Sequence, residues 1–215
     1  MVEVKTERFA PPAEGASATD LAFRRIQRLP RGRLFSRALL ADLGSPAAIS
    51  RALSRLCARG DLERIVRGVY MRPKLNRYIG QVRPSVQQVV RLIARRNNET
   101  VQMHGAEAVR QLGLSTQMPM VPMFYTSGHS RTVRVGAAVA HLRHVAPDKL
   151  QCAGSPAGIA LVALHYIGRR GADDRVLSHL KAFLTTTSDD DLAMLYSCKM
   201  PLWMRSFVQS GIHQD

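Results

Sequence analysis

The sequence predicts an α+β protein: an N-terminal winged helix-turn-helix, then a small mixed α/β domain, then a C-terminal helical region. Three observations lead to this fold class. Between residues 19 and 83, helix-start signals are followed by short β-branched runs. Between about residues 100 and 146, strand-forming residues alternate with turn residues. After Gly154 the sequence becomes helical and strongly apolar.

The distribution of charge separates the first of these regions from the rest. The net charge is +15, and residues 24–96 hold 18 Lys/Arg against three Asp/Glu, whereas the remainder holds 13 of each. Surfaces that bind polyanions need such segregation, because their affinity comes from neutralising phosphates and releasing counterions. Basic segments that lie on membranes carry Trp, Phe and Leu opposite the charges, and this one has few aromatics. We therefore expect a nucleic acid partner and no membrane.

The first elements follow from caps and breakers. Residues 1–18 contain Pro-Pro and small residues without apolar periodicity, which predicts a disordered tail. A helix is predicted from Thr19-Asp20 to Leu29, where Pro30 ends it. After the short extended piece "RGRLF", Ser36 is expected to cap a second helix, "RALLADL", that ends at Gly44.

The segment "SPAAISRALSRLCARGDLERIVRGVY", residues 45–70, completes the predicted winged helix-turn-helix. Its helix begins at Ser45-Pro46, a capping hydroxyl followed by proline at the first helical position. Apolar residues at i, i+4 and i+7 predict one buried face, formed by Ile49, Leu53 and Leu56. Strands are predicted over residues 62–65 and 69–71, joined by Val66-Arg67-Gly68 as a tight hairpin.

This order assigns candidate DNA contacts. In a helix-turn-helix, the N-terminal half of the second helix meets the base edges of the major groove. The candidates for base readout are Ala47, Ser50, Arg51 and Ser54. Arg51 is the strongest of them, because a guanidinium binds both acceptors of guanine. The candidates for phosphate contact are Arg55, Arg59, Arg64, Arg67, Arg72, Lys74 and Arg77. Tyr70 is expected to pack between wing and core rather than to stack on bases.

A domain boundary is predicted at Arg83-Pro84, where the wing and its flank are complete and a new helix begins after proline. Residues 84–150 are predicted to form an α+β domain. Residues 151–215 are predicted to form a helical region packed on it, with the apolar helix "AGIALVALHYIGRR" buried. Ser188 and Asp191 form a predicted capping box in that region.

Catalytic and metal-binding patterns are weak. The acids Asp189–Asp191 suggest a magnesium site, but acids are also favoured in the first turn of a capped helix by its dipole. His141 and His144 lie in strand-like sequence, where residues i and i+3 point to opposite faces. His104 and Glu107 form an acid/base pair without a third partner, so packing at a helix start is the expected role. We expect no enzyme, no metal and no cofactor.

Compartment follows from cysteine usage and hydropathy. Cys57, Cys152 and Cys198 are widely spaced without a CxxC, and we expect three reduced thiols. The apolar run "IALVALHYI" is far shorter than the roughly 18 residues of a membrane span. The start "MVEVKTERF" contains no apolar signal core. A cytoplasmic protein is the expectation.

The span "GRLFSRALLADLGSPAAISRALSRLCARGDLERIVRGVYMRPK" resembles the N-terminal winged helix of AbiEi-type antitoxins of type IV toxin–antitoxin pairs, most specifically in "RIVRGVYMRP". "HGAEAVRQLGLSTQMPMVPMFYTSG" and "RTVRV" resemble the next domain of a related antitoxin-like family. The resemblance implies a repressor that autoregulates its operon at inverted repeats in double-stranded DNA. It also implies an antitoxin to a co-encoded nucleotidyltransferase-like toxin.

Two other function classes stay open. One is a stand-alone regulator or mobile-element DNA-binding protein whose second domain dimerises or senses a ligand. The other is a nuclease or another DNA-processing enzyme. We expect a monomer in solution, or a weak dimer that pairs on DNA. A nucleotidyltransferase reading frame beside this gene is the observation that separates the antitoxin from the stand-alone regulator.

Overall fold

The computed structural model describes residues 17–78, 80–186 and 189–210. About half of the chain is helical and the rest includes three small sheets, so the α+β prediction is confirmed at this level. The chain divides into two compact units, Met1–Pro84 and Ser85–Asp215, which we call the first unit and the second unit.

The first unit, described from Ser17 onward, consists of short helices and strands joined by short connections. The Ser17 side chain accepts a hydrogen bond from the backbone N–H of Asp20, and the Ser45 side chain accepts one from Ala48. Each cap satisfies an N–H that a helix start leaves free. The elements are α1 (Ala18–Gln27), β1 (Leu34–Ser36), a 3-10 helix (Arg37–Leu43), α2 (Pro46–Ala58), β2 (Glu63–Val66), β3 (Val69–Met71), β4 (Leu75–Asn76) and β5 (Gly80–Gln81).

The larger sheet of the first unit has the order β1-β3-β2, with both pairs antiparallel. Arg67 and Gly68 form the turn between β2 and β3. Gly68 has φ of +79°, a conformation that glycine adopts without steric cost. Phe35 on β1 pairs with Tyr70 on β3, and their ring centroids are 6.0 Å apart. Tyr70 thus packs against the core, as the sequence predicts.

The core of the first unit lies between its helices and β1. The predicted buried face of α2 is confirmed, because Ile49, Leu53 and Leu56 are each at most 1% exposed. These side chains pack against Ile26 of α1 and Leu40 of the 3-10 helix. Burial of α2 on one side therefore fixes which of its residues face solvent.

Three local predictions for the first unit are corrected. Helix α1 begins at Ala18 with Ser17 as its cap, so the predicted tail ends earlier; residues 1–16 lie outside the described part. The segment 37–43 is a 3-10 helix rather than an α-helix, and the Ser36 side chain makes no capping hydrogen bond. The segment contributes only Leu40 to the buried core, and short pieces of this kind favour the tighter helix.

Helices flank a four-stranded sheet in the second unit. Its elements are α3 (Val86–Arg96), β6 (Val101–Met103), α4 (Gly105–Gln111), β7 (Met123–Thr126), β8 (Arg131–Val135), β9 (Ala138–His144), α5 (Pro156–Ile167), α6 (Asp174–Thr185), α7 (Asp189–Ser197) and α8 (Leu202–Ser210). The strand order is β6-β7-β9-β8, with β7 parallel to β9 and the other two pairs antiparallel.

Helix α5 is the centre of the second unit. Its residues are apolar on nearly every side, and most of them, from Ala157 to Leu164, are buried. Gly158 permits a close approach, because a Cβ there would lie 2.1 Å from the carbonyl oxygen of Cys152. One hydrophobic cluster extends from Ala108 to Val208, so the segments 84–150 and 151–215 share a core.

Candidate nucleic-acid interface

The exposed face of α2 holds all four residues predicted for base readout. At about 100° per residue, these positions lie within roughly a third of a turn of one another, opposite the buried leucines. The residues are Ala47, Ser50, Arg51 and Ser54, and each is exposed. The fold therefore brings the predicted set together on one solvent-facing surface.

The polar groups on this face differ in what they offer a ligand. The Ser50 hydroxyl donates to the carbonyl oxygen of Pro46 at 2.8 Å, so its oxygen keeps only acceptor capacity toward solvent. No carboxylate in the described part of the chain forms an ion pair with Arg51 or with Arg55, one turn further on. Both guanidinium groups are therefore available to an external anion.

The hairpin formed by β2 and β3 adds two exposed arginines. Arg64 lies on β2 and Arg67 in the turn, and both side chains are exposed. Arg64 has no ion-pair partner among the described residues. The hairpin thus presents positive charge at the position predicted for a wing.

Arg59 is less available than its position predicts. Its guanidinium binds the carboxylate of Asp61 at 2.9 Å and lies 5.4 Å from the ring centroid of Phe23. Its side chain is still 54% exposed. Arg59 therefore joins the end of α2 to α1 and keeps part of its surface toward solvent.

Arg72, one of the predicted phosphate contacts, also has hydrogen-bond partners within the first unit. Its Nη1 donates to the carbonyl oxygens of Gln27 at 2.6 Å and Leu29 at 2.7 Å, and its Nη2 donates to Gln27 Oε1 at 2.7 Å. These carbonyls stand at the end of α1, where the helix leaves acceptors free and its dipole attracts a cation. The arginine pattern does not indicate this partner, Gln27, which lies 45 residues earlier in the chain.

The two remaining predicted phosphate contacts lie by the second, smaller hairpin of the first unit. Lys74 immediately precedes β4 and Arg77 immediately follows it, and both are exposed. The Arg77 guanidinium stacks on Tyr78, 5.0 Å from the ring centroid. Tyr78 and Leu75 are 80% and 72% exposed, and neither was among the predicted site residues. The turn residues within "LNRYIG" are the sequence signal that marks this hairpin.

The acids within the basic segment are each taken up by an arginine of the first unit. Asp42 pairs with Arg25, Asp61 with Arg59, and Glu63 with Arg83 at 3.8 Å. The hydrogen bond from Arg25 holds the pKa of Asp42 below its usual range, so this carboxylate stays ionised and paired at neutral pH. Because these acids are paired with Arg25, Arg59 and Arg83, they do not neutralise the other arginines of α2 and the β2–β3 hairpin, and both surfaces remain positive.

The basic excess also crosses the division between the units. Arg91, Arg95 and Arg96 belong to α3 and are exposed. Residues 85–215 consequently hold 14 Lys/Arg against nine Asp/Glu. The second unit is mildly basic rather than neutral.

His104 and Glu107 do not face each other as an acid/base pair. His104 Nδ1 accepts from the backbone N–H of Ala106 at the start of α4, and burial lowers the pKa of this imidazole. Glu107 accepts two hydrogen bonds from Arg110, at 2.8 and 2.6 Å. The pair therefore occupies a helix start with separate partners.

The other candidate ligands are also separate. His141 Nδ1 lies 3.1 Å from Thr132 Oγ1, and His144 Nδ1 lies 2.9 Å from the carbonyl oxygen of Gly128. Asp191 is buried, whereas Ser188 and the side chain of Asp189 lie outside the described part. The described part contains no group of three or more His, Cys, Asp or Glu side chains that could hold a metal ion.

Two of the three free cysteines touch. Cys152 Sγ and Cys198 Sγ are 3.3 Å apart, and burial together with this contact raises the pKa of Cys198 to about 12. Burial also raises the pKa of Cys57. Cys57 and Cys198 are therefore protonated at neutral pH.

Across the described ranges, every helix is too short or too polar to cross a membrane.

Known proteins were compared with this chain by family, by sequence and by structure. The curated proteins give no match. The fold is similar to the crystal structure of the RV2827C protein from Mycobacterium tuberculosis, with a TM-score of 0.41, 17% identity, and coverage of 91% of this chain and 77% of that one. Residues 22–192 match a family described as a family of unknown function, DUF6088. This match includes parts of both units and most of the chain, which therefore belongs to the DUF6088 family.

Proposed function

We propose that this protein is a DNA-binding transcriptional repressor whose residues 19–83 act as a winged helix-turn-helix. In this proposal α2 lies in the major groove and the β2–β3 hairpin lies against the backbone as the wing. Arg51, with Ala47, Ser50 and Ser54, meets the base edges. Arg55, Arg64 and Arg67 contact phosphates, with a smaller contribution from Arg59.

One observation supports this proposal above the others. Arg51 and Arg55 on the exposed face of α2, and Arg64 on β2, have no ion-pair partner in the described residues, while Asp42, Asp61 and Glu63 are paired with other arginines. A surface that only needs solubility mixes both signs of charge. A surface for DNA has to remain positive, since each neutralised phosphate releases counterions.

The second part of the proposal concerns regulation and rests on the resemblance to AbiEi-type antitoxins. The protein binds inverted repeats in its own promoter, as a monomer that pairs weakly on DNA. Its second unit binds and counteracts a nucleotidyltransferase-like toxin encoded beside it. We assign no catalytic group, metal or cofactor to this function.

A DNase footprint on the segment upstream of its own gene tests the DNA-binding part. We expect protection of two related half-sites, and loss of that protection in Arg51→Ala. A protein that protects no segment of this DNA, and binds it no better than unrelated duplex, contradicts the repressor.

Co-expression tests the antitoxin part. Residues 84–215, once shown by circular dichroism to be folded, should rescue growth when the neighbouring toxin is expressed, whereas residues 19–83 should not. Failure of a folded 84–215 fragment, or rescue by 19–83 alone, contradicts the division of labour. A genome without a nucleotidyltransferase gene beside this one favours the stand-alone regulator.

A further inference from the structure

The β4–β5 hairpin is held firmly at its base within the first unit. The backbone N–H of Val82 donates to the carbonyl oxygen of Lys74 at 2.8 Å, which closes the hairpin beyond β4 and β5. On one side, the N–H of Gly32 donates to the carbonyl of Arg72 at 3.0 Å. On the other, Gln81 Nε2 donates to Glu63 Oε2 on β2 at 2.6 Å. The base is therefore fixed to the same unit that carries α2.

The far end of this hairpin presents apolar and cationic groups together. Tyr78 is 80% exposed and Leu75 is 72% exposed, large values for side chains of this size. The backbone N–H of Tyr78 donates to Asn76 Oδ1 at 2.8 Å, which orders the turn locally. The Arg77 guanidinium lies over the Tyr78 ring, so this end of the hairpin presents a cation and an aromatic ring together.

Charge restricts what this end of the hairpin would bind. Residues 72–83 contain four Lys/Arg and no Asp/Glu. Glu63, a carboxylate that contacts the hairpin, is paired with Arg83 and Gln81 at the base. The exposed end is thus positive. It complements a polyanion, and it does not complement a protein surface that has few acidic residues.

We propose that Arg77 and Tyr78 form a second DNA contact, which enters the minor groove of the duplex beside the segment that α2 reads. This inference rests on the proposed DNA binding. The minor groove is about 6 Å wide, too narrow for a helix but wide enough for a guanidinium or the edge of a ring. Its negative potential attracts arginine, and apolar side chains insert between its base steps.

Hydroxyl-radical footprinting of the full chain tests this contact, because the radicals attack sugar atoms that face the minor groove. The probe is the duplex segment immediately upstream of its own gene. We expect the wild type to protect a patch that lies beside the one lost in Arg51→Ala. In Arg77→Ala/Tyr78→Ala this flanking patch should disappear while the central patch remains, with affinity about tenfold weaker.

One variant controls for a general loss of exposed apolar area. Met120→Ala removes a side chain that is 99% exposed in the second unit and should leave both patches unchanged. Circular dichroism of the double variant should match the wild type, because the two side chains lie outside the core.

The outcomes separate this inference from the proposed function. A wild-type protein that binds no DNA overturns the proposed function and this contact with it. A wild type that binds, beside a double variant with the same affinity and the same two patches, overturns the second contact alone. Loss of both patches in a folded double variant also overturns it, since the hairpin would then support α2 rather than contact its own groove.

Discussion

The two units of this protein use charge in opposite ways. In the first unit Asp42, Asp61 and Glu63 are each paired with an arginine, whereas Arg51 and Arg55 on the exposed side of α2 have no ion-pair partner in the described residues. In the second unit the central helix α5 is apolar nearly all round, and ion pairs such as Glu107–Arg110 lie at helix ends. The first unit therefore carries an electrostatic surface on a small core, and the second carries a large core.

Titration separates the units as well. All seven histidines lie after residue 103, and none is in the first unit. Burial lowers the pKa of both His104 and His165. We therefore expect salt to act mainly on the function of the first unit, and mild acid mainly on the stability of the second.

Truncation of core side chains should give the largest effects on stability, and each effect should be confined to the unit that carries the substitution. Leu56→Ala in α2 and Leu161→Ala in α5 each remove a side chain that is fully buried. Each should cost about 2–5 kcal/mol of unfolding free energy, because the cavity collapses only in part. Hydrogen exchange should rise in the unit that carries the substitution. DNA binding should fall in Leu56→Ala and persist in Leu161→Ala.

Increased hydrogen exchange in both units after either substitution would contradict two separate cores, since it would mean that the chain unfolds as one body. Met120→Ala is the matched control, because this fully exposed side chain contributes nothing to either core.

Within the first unit, the loss of a base contact and the loss of a phosphate contact should have different effects on DNA binding. Arg51→Ala should cost ~1–3 kcal/mol on the operator and flatten discrimination at one base position. Arg64→Ala should weaken specific and nonspecific DNA alike, because a phosphate contact carries no sequence information. Competition binding with single-base operator variants measures both. Equal, sequence-independent losses in the two variants would show that Arg51 does not read bases.

Arg72 should behave as a structural arginine. Arg72→Ala should lower the unfolding free energy of the first unit by about 1.5–3 kcal/mol, because it leaves the carbonyls at the end of α1 without their charged donor. Denaturant unfolding followed by hydrogen exchange in α1 measures this. A stable Arg72→Ala variant with weaker DNA binding and a shallower salt dependence would instead support the predicted phosphate contact of Arg72.

The sequence reveals elements better than it reveals partners. The Ser45-Pro46 cap, the buried face of α2 and the turn at Gly68 are local patterns, and the structure shows all three. Arg72 and Gln27 meet only through the fold, so no spacing rule separates this arginine from the exposed ones.

Long-range pairing also limits how much of the structure of the second unit can be predicted from the sequence. The sequence indicates strands between residues 100 and 146, but β7 lies parallel to β9 with β8 at the sheet edge. Turn residues do not encode that order. Ala108 and Val208 likewise join one cluster across 100 residues, which no window of sequence contains.

Mild acid should give the smallest effect, confined to the second unit. His165 Nε2 is buried and has no hydrogen-bond partner in the described part of the chain, so its protonation is disfavoured in the folded state. A lowered pKa means that the stability is complete above about pH 6.5 and is lost as the pH falls toward the folded value. The lowered pKa values of Asp20 and Asp42 act only in stronger acid.

Hydrogen exchange at pH 7.5 and pH 5.5, corrected for the intrinsic rate, should therefore show weaker protection in α4 and α5 and unchanged protection in α1 and α2. His165→Gln removes the titrating group and should reduce the difference. An equal loss in both units would contradict the assignment to histidine.

The salt dependence of DNA binding tests whether the first unit binds DNA through phosphate contacts. If the first unit contacts about six phosphates, the logarithm of affinity should fall with the logarithm of salt concentration at a slope of roughly −5. Fluorescence anisotropy of the full chain on its own promoter DNA, over a series of salt concentrations, gives this slope. A slope near −5 that becomes shallower by about one in Arg64→Ala is the predicted result. A wild-type slope shallower than about −2 would contradict the electrostatic account of the first unit.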